Sequence, residues 1–294
     1  MNGTSIAVPA TSSRSRAADY YQLAKPGITV MVAITAALGY YIAARGALDW
    51  KVLAHLVGGT LLSSAGAAAL NMVLERRLDA KMERTKNRPL PAGRLGVAEA
   101  TSFGLVLCVA GVAWLGVGTN WLVAALSAAT IGSYLFLYTP LKTKSSICTL
   151  VGAVPGALPP VMGWAATGSM GVGAWILFGI LFFWQLPHFL ALAWMYREDY
   201  ARGGFPMLPV EEPTGASTGR QVVLQTLALL VVSLLPAGFG LAGEAYLAAA
   251  LLLGAGFLGF GVAFAAERSR ARASRLFFAS IAYLPLLLAA LALL

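Results

Sequence analysis

Residues 52–94, VLAHLVGGTLLSSAGAAALNMVLERRLDAKMERTKNRPLPAGR, run from a long apolar stretch directly into a dense block of charge. Residues 52–74 have the ~20-residue length that crosses a hydrocarbon core. Asn71 to Arg94 then hold seven of the chain's 21 Lys+Arg and three of its 12 Asp+Glu in 24 residues. Across all 294 residues, 59% are hydrophobic and 11% charged, with a mean hydropathy of +0.75. That composition excludes a soluble domain and describes an all-α polytopic membrane bundle.

Eight more apolar stretches of spanning length flank this one, at 27–45, 97–117, 121–139, 147–167, 173–195, 221–240, 244–266 and 275–293. Together they predict nine transmembrane helices. The connections after spans 2 and 6 are long and carry most of the polar residues. Of the 21 Lys+Arg, 19 lie in the N-terminal tail or after spans 2, 4, 6 and 8, and only Arg45 and Lys51 lie opposite. By the positive-inside rule the N-terminus and the long loops face inward. The +9 net charge is thus a topology signal, and no nucleic-acid partner is expected. Residues 1–24 read as a disordered cytoplasmic tail and 25–294 as one transmembrane domain. The tail carries Arg14 and Arg16 and no acid before Asp19, a weak likeness to a transit peptide. A plain bacterial tail fits better, which places the chain in a bacterial inner (plasma) membrane rather than the mitochondrial inner membrane. Cys108 and Cys148 match no metal spacing and read as small buried hydrophobes.

Asn71, Glu75 and Asp79 recur every fourth residue, so on a helix they fall within roughly 80° of one another. Grouped oxygen ligands of this kind suit a hard cation such as Mg2+, which usually also holds substrate phosphates. Arg84, Lys86 and Arg88 follow and are placed to grip those phosphates. Pro89 and Pro91 stop the segment from continuing as helix. A purely topogenic basic loop accounts for Arg76, Arg77 and Lys81 but not for acids at the end of a span, where they are costly.

A second cluster, from Trp184 through His188 and Tyr196-Arg197-Glu198-Asp199-Tyr200 to Pro209, closes span 6. His188 and Asp199 are eleven residues apart, which on one continuous helix puts them on one face, His188 roughly 16 Å deeper. Pro187 is expected to kink that helix. An ionisable group at that depth is either functional or a neutral histidine bonded to a neighbouring helix. Arg197 and Asp199 are either ligand contacts or a solvated helix end. Tyr138 and Lys142 with Lys144, at the end of span 4, read equally as an anion clamp or as interfacial anchors. Gly152 to Trp164 in span 5 is rich in Gly, Ala and Pro, which serves close helix packing or leaves room for a planar ligand. The two long loops echo each other, each with an acid–Arg cluster and a proline stop, hinting at a duplicated unit.

These blocks resemble the UbiA superfamily of intramembrane prenyltransferases, and within it the branch that farnesylates protohaem IX. Asn71-Met-Val-Leu-Glu75-Arg-Arg-Leu-Asp79 is similar to the superfamily's first Asn/Asp-rich metal motif. Asp79 to Pro89 is similar to that branch's extension of it. Tyr138-Thr-Pro-Leu-Lys142, Gly156 to Pro160, Leu186-Pro187-His188-Phe189 and Tyr196 to Tyr200 match further blocks between Tyr21 and Val210. Glu75 stands where aspartate is commoner. Tyr196-Arg-Glu-Asp-Tyr200 replaces the second Asp-rich motif of many members, leaving open a second metal at Glu198 or Asp199. The resemblance implies transfer of farnesyl from farnesyl diphosphate to the 2-vinyl group of haem b, giving haem O. It implies Mg2+ on Asn71, Glu75 and Asp79, with Arg84, Arg88 and Lys142 on the leaving group. It also implies substrate contacts from Tyr138, Tyr196, Arg197 and Asp199, and His188 at the haem. The partners it implies are the two substrates, the lipid bilayer, and haem A synthase or the terminal oxidase assembly. The rivals are a UbiA enzyme acting on an aromatic acceptor such as a quinone precursor, and a nine-helix transporter. Transporters place polar groups near the midplane, whereas here nearly all of them sit at one face.

Overall fold

The computed structural model describes residues 15–293. The elements follow in order as α1 (Arg16–Leu23), α2 (Pro26–Ala44), α3 (Trp50–Asp79), α4 (Val97–Gly118) and α5 (Trp121–Gly132). A π-helical segment (Ser133–Tyr138) and α6 (Thr139–Leu141) continue α5. Then come α7 (Cys148–Ala165), α8 (Val172–Met195), α9 (Arg197–Gly203), α10 (Leu208–Glu211), α11 (Ala216–Gly238), α12 (Glu244–Ala266) and α13 (Arg270–Leu293). Among the described residues nine helices are long and apolar enough to cross a membrane, one for each expected span. The protein is a multi-pass, all-helical membrane bundle.

The tail expectation changes at its C-terminal end. Residues 1–14 lie outside the described residues, but Arg16–Leu23 is helical rather than disordered. Ser15 caps it by accepting from the Ala18 N–H. Leu23 is fully buried against Ala69, Met72 and Val73 of α3.

Small residues set the helix spacing. Gly66 of α3 lies so close to α4 that a Cβ there would stand 2.6 Å from the Cys108 backbone nitrogen. One added at Gly111 of α4 would stand 2.5 Å from the Ser63 nitrogen. Backbones approach this closely only where side chains are absent. The Gly- and Pro-rich stretch of span 5 is used the same way. Gly163 abuts the Ala36 carbonyl of α2, Gly156 meets the buried Gln185 side chain of α8, and Gly152 packs on the Tyr138 ring. These three glycines serve packing. The largest apolar core joins α7, α8, α11, α12 and α13.

α8 runs as one helix through Pro187 and ends at Met195. Tyr196 leaves helical geometry (φ −115, ψ 24) and α9 restarts after it. The single helix carrying both His188 and Asp199 is therefore broken. The shared face expected of them does not form.

Candidate active site

The last turns of α3 carry Asn71, Glu75 and Asp79, only 2%, 4% and 1% exposed. Each meets a cation from a different part of the chain. Lys25, between α1 and α2, donates from Nζ to Asn71 Oδ1 at 3.0 Å. Lys142, just beyond α6, lies 2.9 Å from Glu75 Oε1. Arg88, in the loop after α3, lies 2.7 Å from Asp79 Oδ2. Three cations thus face two carboxylates, leaving the site positive and suited to an anion.

Local features explain how these groups arrive. The π-helical segment adds a residue to the end of the fourth span, and such bulges recur at functional sites. Thr139 stabilises it by donating to the Tyr134 carbonyl at 2.8 Å and accepts from Asn71 Nδ2 at 3.2 Å. The bulge therefore aims Lys142 at Glu75, where the ammonium sits over the rings of Phe205 (4.8 Å) and Tyr138 (5.7 Å). Thr85 donates to the Asp79 carbonyl at 2.8 Å, fixing the start of the basic loop.

The same loop is held from behind by Asp199. Its Oδ1 accepts from the Glu83 backbone N–H at 3.1 Å and its Oδ2 from that of Arg84 at 3.3 Å. Arg202 pairs with Oδ1 at 2.5 Å. Burial alone would raise this carboxyl, but Arg202 and the two backbone donors outweigh it and hold it below the usual carboxylate range. Arg84 then stacks on Tyr196, 5.4 Å from the ring centroid. Glu198 and Arg197 are exposed, with Arg197 over Trp194 at 4.7 Å. The structure thus gathers Asn71, Glu75, Asp79, Arg88, Lys142 and Tyr138 into one site, with Arg84 and Tyr196 at its edge. It gives Asp199 to the loop backbone and leaves Arg197 apart.

His188 is elsewhere too. It is sandwiched between Trp184 (5.1 Å) and Phe277 (4.6 Å), with Nδ1 2.7 Å from Ser280 Oγ of α13. That Oγ already donates to the Phe277 carbonyl at 2.6 Å. With its proton committed, Ser280 accepts from His188 Nδ1–H, so the ring is the tautomer whose lone pair is on Nε2.

The sequence pattern of the UbiA prenyltransferase family matches residues 32–284. The chain belongs to this family. It is 47% identical to the protoheme IX farnesyltransferase of Solibacter usitatus, with 92% of this chain and 96% of that one covered. The protein of the same name from Myxococcus xanthus is 43% identical over 100% of this chain and 98% of its own. Among solved structures, a digeranylgeranylglyceryl phosphate synthase superposes with a TM-score of 0.80 at 17% identity, over 94% of this chain and 97% of that one. A UbiA homologue from Archaeoglobus fulgidus bound to GPP and Mg2+ gives 0.66 at 14%, over 94% and 100%. At those identities the likeness is one of fold.

Within this UbiA site the donor set fits Mg2+ bound together with phosphate. Asp79 Oδ1 is buried and has no hydrogen-bond partner, which a folded protein rarely tolerates without a role for the atom. Among the described residues no three His, Cys, Asp or Glu side chains form a closed metal cage. Mg2+ needs none, since one or two carboxylates plus substrate phosphates usually hold it.

Several participants escaped sequence reasoning. Lys25, Thr139, Thr85 and Phe205 come to the triad or its cations only through folding. So does the clamp on α1, where Asp19 pairs with Arg94 of the basic loop at 2.9 Å. Its signal was present, since Asp19 is the one acid among the first 48 residues.

Proposed function

We propose that this chain is a protohaem IX farnesyltransferase, transferring farnesyl from farnesyl diphosphate to the 2-vinyl carbon of haem b to give haem O and diphosphate. The observation that carries the reading is the meeting of Lys25, Lys142 and Arg88 on the Asn71–Glu75–Asp79 face. That is a site for a leaving group of high negative charge, in a chain whose near full-length relatives bear this name.

Asn71, Glu75 and Asp79 would hold Mg2+, which when bound supplies Lewis-acid neutralisation of the diphosphate. Lys142, Arg88 and Arg84 grip the diphosphate oxygens. As the allylic C–O bond breaks, its electron pair leaves with the diphosphate, and these fixed cations stabilise the growing charge. Tyr138 and Phe205 keep bulk water from Lys142, which strengthens its pull in a low dielectric. The vinyl electrons then attack the allylic carbon, and water captures the haem-side cation with loss of a proton. Tyr196 positions Arg84 by stacking. Asp199 serves through the Glu83–Arg84 backbone, at one remove from the diphosphate, whereas Arg197 stacks on Trp194 away from it. His188 offers Nε2 to the haem iron while Ser280 holds Nδ1, the arrangement in which metal-bound histidines are usually oriented.

The loops carrying this chemistry face the cytoplasm of a bacterial inner membrane, as the Lys+Arg bias implies. Haem A synthase or the terminal oxidase assembly would receive the product. The test is purified protein with haem b, farnesyl diphosphate and Mg2+, followed by mass analysis of the haem. A mass gain of one farnesyl group plus one hydroxyl on haem is expected. Unchanged haem, with farnesyl transferred instead to an aromatic acid supplied in a parallel reaction, would overturn the reading.

A further inference from the structure

Gln185 lies within α8, 5% exposed and ~15 Å along the helix from its end at Met195. A polar side chain at that depth is costly unless it is used. Its Nε2 donates to the Ala153 carbonyl of α7 at 2.8 Å and to the Leu181 carbonyl at 3.1 Å. Carbonyls only accept, so the amide nitrogen faces them and Oε1 is turned away. Among the described residues no donor reaches that oxygen. Gly156 of α7 makes room for it, since a Cβ there would stand 2.2 Å from Oε1. Bridging α8 to α7 accounts for the amide nitrogen and leaves the oxygen without a task.

The amide stands between the two halves of the reaction. His188 is one turn further along α8, on a neighbouring face. In the other direction Ala153 adjoins Gly152, which packs on the Tyr138 ring, and that ring lies 5.7 Å from the Lys142 ammonium. An acceptor oxygen between the histidine offered to haem and the lysine offered to diphosphate is placed to hold a small polar reactant at their junction. The reaction needs one there, because the haem-side cation must meet water before it loses a proton.

Resting on the reading above, we infer that Gln185 is the positioning residue for the water that hydroxylates the haem side chain. The water donates one proton to Gln185 Oε1 and the other to a diphosphate oxygen, which leaves a lone pair for the cation. Its oxygen bonds the cationic carbon, the proton facing the diphosphate passes to that leaving group, and the other remains on the new hydroxyl. Without a held water the cation instead loses a proton from the adjacent carbon to the diphosphate. The product is then an alkene one water lighter than haem O.

The test is the product ratio of the full chain in phosphatidylcholine nanodiscs with haem b, farnesyl diphosphate and Mg2+, the haems being separated before mass analysis. Gln185→Leu should raise the ratio of alkene to haem O ~10-fold, the scale of one lost hydrogen bond. Gln185→Glu keeps an acceptor oxygen at the same reach and should restore haem O. Gly156→Ala leaves Gln185 in place but pushes its flexible end aside, and should shift the ratio the same way. A purely packing role would lower total turnover and leave the ratio alone. Haem O as the sole product of Gln185→Leu and Gly156→Ala, at any rate, would therefore overturn the inference, and so would loss of all farnesylated haem in both. If the unaltered chain farnesylated no haem, the proposed function itself would fail.

Discussion

Lys142 Nζ lies 2.9 Å from Glu75 Oε1, with both side chains largely shielded from water, 14% and 5% exposed. Each charge depends on the other. Lys142→Met leaves a buried carboxylate unpaired, a loss of about 3–5 kcal/mol for such pairs. A clear drop in the detergent melting temperature is expected. The double variant Lys142→Met/Glu75→Leu should regain much of that stability while making no haem O. Single and double variants melting alike would show that the pair is not coupled.

Asp79 has one oxygen committed to Arg88 and one without a partner. Asp79→Asn keeps the shape and removes the charge a metal needs. Turnover should fall by at least ~10²-fold, the scale of losing one electrostatic stabiliser, while helical content and haem binding stay normal. Chelation with EDTA should mimic this in the unaltered protein and be reversed by Mg2+. Turnover insensitive to EDTA would argue against a metal at α3.

Asp199 anchors the basic loop through the Glu83 and Arg84 amides, so Asp199→Ala should act on donor KM more than on kcat. Limited trypsin digestion should cut faster at Lys81–Lys86. The folded-state carboxyl sits below its unfolded value, so its contribution is complete at neutral pH and is lost only as pH falls below about 4. A loop equally resistant in the variant would refute the anchoring role.

Ser280 sets the His188 tautomer, so Ser280→Ala should weaken haem affinity about tenfold, the lower end for loss of a ligand's hydrogen-bond partner. Farnesyl thiodiphosphate binding should not change. The Soret band of bound haem should move in His188→Ala. Unaltered haem spectra in both variants would place the haem away from α8 and α13.

Some of this was legible in the sequence and some was not. Hydropathy located all nine spans, and the four-residue period of Asn71, Glu75 and Asp79 put them on one buried face of α3. Both signals are local, set by helix geometry and by the cost of polar groups in hydrocarbon. The His188–Asp199 alignment failed because it assumed one helix, and the break at Tyr196 is a backbone choice made by packing around α9.

By itself, then, the sequence determined the membrane bundle, the family and the acidic face. Only the tertiary structure decided what meets that face. Lys25 reaches Asn71 across 46 residues and Lys142 reaches Glu75 across 67. It also decided that Asp199 holds the loop while Asp79 keeps an oxygen open. The physical reason is that a helix repeats every 3.6 residues and so announces itself locally. A buried charge instead takes its partner from whichever chain segment the packing of the whole bundle brings within about 3 Å.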